Sequence, residues 1–147
     1  MQILFKKVGN NKSETQSSFQ YYFDPVIISG VCWDAKIMAI KTFRPTTPQT
    51  YLYLSDEIEA FEYIVKMKTM YDVNIAAINC SFGGASFSGL EQDIIEEAGN
   101  AGIIMCAAAG NGGDDGLGDN DDQVPEYPAS YILPNIISVA ATTLRTN

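Results

Sequence analysis

An α/β fold built on a parallel sheet with right-handed βαβ crossovers is what this sequence predicts, and three observations carry it. Short apolar runs recur at residues 35–43, 73–80, 103–109 and 136–141. Amphipathic stretches separate the first three runs, and glycine-rich segments close the second and third. Apolar runs alternating with helices imply parallel strands covered by crossover helices. Ligands on such sheets bind beyond the C-terminal ends of the strands, where both glycine-rich segments fall.

The elements follow in order. Residues 1–29 form a divergent segment with weak order expected up to Pro25: residues 10–20 are polar without a period, and Asp24-Pro25 breaks what precedes it. Residues 30–147 form the regular domain. The run AKIMAIKTF at 35–43 reads as a buried strand, and the prolines and threonines of 44–49 as a loop. Ser55 is the expected N-cap of a helix with acids in its first turn, where the helix dipole favours them. Ile58, Phe61, Ile64, Val65 and Lys68 lie near one face, and Glu57, Glu59, Glu62 and Lys66 outside it. VNIAAINC at 73–80 is a second strand, closed by Ser81-Phe82-Gly83-Gly84. The next helix carries Leu90, Ile94, Ala98 and Ala101 on one stripe, and Gly102 is placed to end it in a left-handed conformation. IIMCAAA at 103–109 is a third strand, followed by Gly110-Asn111-Gly112-Gly113; a fourth lies at 136–141.

Composition narrows the function. The chain has 147 residues, 46% hydrophobic and 18% charged, which suits one globular domain. Its net charge of −9 repels phosphates and anionic lipid, so neither nucleic acid nor a membrane surface is expected as a partner. No apolar run reaches the roughly 18 residues of a membrane span. The short apolar stretch at the start precedes its lysines, the reverse of an export signal, so localisation stays open. Cys32, Cys80 and Cys106 match no metal or redox spacing and read as structural thiols. There is no histidine, so a cysteine nucleophile would lack its usual base.

The pair of segments NCSFGG at 79–84 and AAAGN at 107–111, with a helix between them and the flanks GVCWDAKIMAIKTF and YPASYILPNIISVAATT, resembles the subtilisin-like (S8) serine peptidases from about Gly30 to Asn147. The resemblance implies that Asn111 is the side-chain donor to the tetrahedral oxyanion, a role that needs a preorganised group aimed at charge present only in the transition state. It implies that Ser81, Phe82 and Gly83 form one wall of the substrate cleft and Ala108, Ala109 and Gly110 the other. Glycine there lets an extended peptide come close. Tyr51 to Tyr53 would form the opposite edge. Peptide or protein substrates are the partners implied.

The departures bear on activity. The family orders its triad Asp, His, Ser. Here Gly-Thr-Ser and histidine are both absent, and Asp24 and Asp34 lack the family's context. Val8-Gly9-Asn10-Asn11 resembles the turn after the family's histidine helix. The expectation is a partial serine endopeptidase domain that is inert alone and draws on further strands to fold. The alternative is a pseudo-peptidase module that binds extended peptides. A Rossmann-like nucleotide domain is disfavoured, because the 110–113 glycines open an acidic loop rather than a helix. No cofactor is required by this reading. Asp114, Asp115, Asp119 and Asp121 are candidate Ca²⁺ ligands, since some family members bind calcium nearby and acid-dense loops offer the oxygens that ion needs.

Overall fold

In the computed structural model, the described residues are 2–5, 34–45, 50–112 and 123–141, with backbone alone for 2–5, 45 and 50. The central sheet contains β1 (Gln2–Phe5), β2 (Lys36–Ala39), β5 (Ile75–Cys80), β6 (Ile104–Ala108) and β7 (Ile136–Val139), in the order β2-β1-β5-β6-β7. A separate hairpin pairs β3 (Phe43–Pro45) with β4 (Thr50–Leu52). Helices α1 (Leu54–Thr69) and α2 (Gly89–Asn100) precede β5 and β6.

The expected parallel ladder is present in β5, β6 and β7, with Cys80 beside Ala107 and Ala108 beside Val139. β1 departs from it. This strand, formed by the short apolar stretch at the start that the sequence reading does not count as a strand, runs antiparallel to both β2 and β5. The single strand expected at 35–43 is two strands in different sheets. The backbone leaves the central sheet after Ala39, buries Thr42, and enters the hairpin at Phe43.

One core joins the layers. Phe61, Ile64 and Val65 of α1 and Ile94, Ile95 and Ala98 of α2 pack on Ile75, Ile78, Cys80, Met105 and Ala107 of the strands. Burying such side chains contributes roughly 1.5–3 kcal/mol each. Ile37, Ile104, Ile137 and Val139 are exposed. Gly102 has φ of 75°, the left-handed value expected at the end of α2.

Two helix assignments need correction. Helix α1 begins at Leu54, capped by Tyr53 without a side-chain bond, rather than at a Ser55 cap. Glu57, expected on the solvent face, is 6% exposed. In α2 the buried stripe includes Glu91, which is 2% exposed, while Leu90 is 71% exposed. Both acids are buried because α1 and α2 pack against each other and bring Glu57 and Glu91 together, a tertiary fact that single-helix periodicity does not contain.

Candidate functional site

The β5–β6 register sets the site. The β5–β6 pairing ends with Cys80 beside Ala107, so Ser81-Phe82-Gly83 and Ala108-Ala109-Gly110 both continue from the same end of the sheet. Ala109 N–H donates to Val139 O at 3.0 Å, which extends the ladder past the end of β6. Asn111 follows, exposed, between Gly110 at φ 91° and Gly112 at φ 78°. Those left-handed angles are why glycine brackets the asparagine.

A residue the sequence reading missed ties the two segments together. A Cβ placed on Gly83 would lie 2.7 Å from Cγ and Oε1 of Glu126, and one on Gly110 would lie 2.8 Å from its Oε2. The Glu126 side chain therefore fills the space against both glycines. Its backbone is anchored, since Glu126 N–H donates to Ser130 Oγ at 3.0 Å. Gly84 and Tyr127 exchange backbone hydrogen bonds at 2.8 and 2.7 Å, so 81–84 is stitched to the segment that leads to β7. The alternation of glycine and apolar residues had no way to announce a glutamate so far along the chain.

Phe82 is half-buried and meets Phe43 edge-on at 6.0 Å, which links this segment to the hairpin. Ser81 Oγ accepts from Asn79 Nδ2 at 2.9 Å. Tyr51 and Tyr53 stay exposed, their rings 6.3 Å apart, with the Arg44 guanidinium 5.4 Å over Tyr53. Arg44 also pairs with Asp56, which holds that carboxyl below its ordinary range.

Beside Phe82 lies a cavity of about 210 Å³, lined among others by Leu52, Leu54, Glu57, Phe82, Glu91 and Tyr127. Burial, and next the adjacent Glu91 charge, push the Glu57 carboxyl up to about 8. Tyr131 Oη donates to Glu91 Oε2 at 2.7 Å, and its own ionisation is pushed up by burial and then by that bond.

Burial likewise pushes the Cys80 thiol up, which makes it a poor nucleophile. Cys106 is half-buried, and Cys32 lies outside the described residues. The acids proposed for calcium, Asp114, Asp115, Asp119 and Asp121, also lie outside them.

Two adjacent parallel strands of this α/β sheet thus lead into SFGG and AAAGN, with Asn111 exposed just past the second. Residues 7–147 match the subtilase family, Peptidase S8, and the chain belongs to that family. It is 31% identical over 114 residues to subtilisin amylosacchariticus of Bacillus subtilis subsp. amylosacchariticus, covering 78% of this chain and 26% of that protein. It is 36% identical over 113 residues to subtilisin-like protease 2 of Arthroderma otae, covering 76% of this chain and 23% of that protein. The chain thus spans about a quarter of the length of these curated relatives. A solved structure, the S41 psychrophilic protease, aligns with TM-score 0.49 at 28% identity over 60% of this chain and 26% of that one.

Proposed function

We propose that these residues form the substrate-holding and oxyanion-binding part of a subtilisin-like serine endopeptidase. In this reading, residues 81–83 and 108–110 pair with an extended peptide by strand addition. The Asn111 amide donates to the oxyanion that forms when a scissile carbonyl is attacked. The β5–β6 register carries the reading, because it sets the two motif segments beside each other at the same end of the sheet.

The chain by itself does not hydrolyse peptides in this account. It contains no histidine to act as base and no Gly-Thr-Ser. Loss of one triad member removes nearly as much catalysis as loss of all. A non-catalytic peptide-binding module is the second reading, favoured by the same missing histidine. The exposed Ile37, Ile104, Ile137 and Val139 support the idea that additional chain covers the sheet in an intact enzyme. Calcium at Asp114, Asp115, Asp119 and Asp121 is an accessory proposal, tested by calorimetric titration at millimolar Ca²⁺; absence of heat contradicts it.

Incubating the chain with a mixed fluorogenic peptide set, and weighing the products by mass spectrometry, tests the account. Peptide capture without new termini is expected. Any new termini produced by the chain alone would contradict it.

A further inference from the structure

We propose that the uncovered face of the central sheet is a self-association surface, through which two copies of this chain pack sheet against sheet. The inference concerns a different surface from the peptide cleft and stands apart from that reading.

The register shows which residues share this face, because residues directly opposite across a ladder lie on the same side of a sheet. Ile37 pairs with residue 4 of β1, residue 4 with Ala77, and Ala77 with Ile104. Ala39 connects in the same way, through residue 2, to Asn79, Cys106 and Ile137. Ala108 and Val139 make a third row. The opposite face carries Met38, Ile78, Cys80, Met105, Ala107 and Ile136, which join the core with α1 and α2. Sheets of parallel strands ordinarily bury both faces. Here the two helices lie on one, and Ile37, Ile104, Ile137 and Val139 on the other are 63, 47, 51 and 51% exposed.

Charge selects the occupant. At net −9, two copies repel each other over most of their surface. Among the described residues this face carries no charge. Its polar side chain, Asn79, is engaged, Nδ2 donating to Ser81 Oγ at 2.9 Å. The exposed acids of the helices, Glu59, Glu62, Asp93, Glu96 and Glu97, belong to the layer on the far side of the sheet. Meeting at the uncovered face keeps those acids apart while it removes apolar surface from water. A basic partner would be drawn to the acids instead.

Size and shape fit a reversible pair. Five strands at about 4.8 Å spacing, four to six residues long at about 3.3 Å each, make a face of roughly 20 Å by 15 Å. Covering it removes on the order of a few hundred Å² per copy, the scale of a weak contact rather than a permanent one. Large and small residues alternate across the ladders: Ile104 beside Ala77, Ile137 beside Cys106, Val139 beside Ala108. Under a two-fold axis the large side chains of one copy enter the gaps of the other, as packed sheets require.

Sedimentation equilibrium of the full chain from about 5 to 500 µM tests the proposal. The mass is expected to climb from 16.0 kDa toward twice that, half-converted near about 100 µM. Added salt is expected to strengthen the pair, because it screens the repulsion. Ile104→Lys with Ile137→Lys is expected to weaken it about tenfold or more. The lysines lower the net negative charge, so added repulsion is not the cause of that loss. Leu90→Lys with Ile132→Lys, at exposed positions off this face, is expected to leave the pair unchanged. A second readout needs no variant: iodoacetamide labelling of Cys106, mapped by mass spectrometry, should slow as chain concentration rises. A mass of 16.0 kDa throughout overturns the proposal. So does association that survives the Ile104 and Ile137 change, growth past the dimer, or Cys106 labelling indifferent to concentration. None of these outcomes bears on the peptide-cleft reading, which its own assay tests.

Discussion

Tyr131 Oη lies between Ser88 and Glu91: it is 3.1 Å from Ser88 N, which donates to it, and 2.7 Å from Glu91 Oε2, to which it donates. Ser88 O, at 3.0 Å, is a second acceptor for the same proton. Ser88 caps α2, its Oγ accepting from Glu91 N at 3.3 Å. In a capping box the glutamate three residues on would reach back to the cap N–H itself. Here the tyrosine hydroxyl stands in that place and leaves Glu91 facing the cavity.

Tyr131→Phe is therefore expected to leave the Ser88 N–H and Glu91 Oε2 without their partner. A buried group left unpaired costs about 1–3 kcal/mol. Urea unfolding should show a lower midpoint at unchanged slope. An unchanged midpoint would mean the hydroxyl contributes nothing to the packing of α2.

Glu57 predicts a pH dependence. Its carboxyl titrates from an ordinary 4.5 when unfolded to about 8 when folded, because burial and then the Glu91 charge oppose ionisation. The stability it contributes is fully present below the unfolded value and is lost as pH rises through the folded one. The stability difference between the native chain and Glu57→Gln should accordingly change between pH 4.5 and pH 8, with the native chain losing ground as pH rises. A difference that is flat over this window, or that changes the other way, contradicts the buried protonated acid.

Gly83 and Glu126 should be energetically coupled. An alanine methyl at Gly83 meets Glu126 Cγ at 2.7 Å, so one of them must move. The methyl displaces the Glu126 side chain, so part of its cost is the loss of the position that side chain holds. Gly83→Ala combined with Glu126→Ala should cost less than the sum of the single changes, measured by a double-mutant cycle. Strict additivity would show that Glu126 does not fill the space against that glycine.

Cys80 should resist modification. Its thiol is buried and held well above its ordinary value, so alkylation at pH 8 should wait for unfolding. Rapid labelling of Cys80 in the native chain would contradict the core placement.

The motif half of the site was legible in the sequence because it is local. Ser81 to Gly84 and Ala107 to Asn111 are contiguous stretches at strand ends, and alternation of strand and helix placed them at one end of the sheet. Glu57, Glu91 and Glu126 were not legible, for a different physical reason. Each owes its position to a partner far along the chain: Glu91 to Tyr131, 40 residues on, and Glu126 to glycines on β5 and β6 strand ends. Helical periodicity assigns a glutamate to solvent unless the packing of a second helix is known. The split of 35–43 was hidden for the same reason, since β2 and β3 share one apolar run but find different pairing partners.

The central claim is that residues 81–84 and 108–111 hold an extended peptide that this chain does not cut. Hydrogen–deuterium exchange with and without a saturating extended peptide tests it most directly. The account predicts slowed exchange confined to those two segments, with the peptide recovered intact. Protection elsewhere with none at these strand ends, or a peptide recovered in pieces, would contradict it.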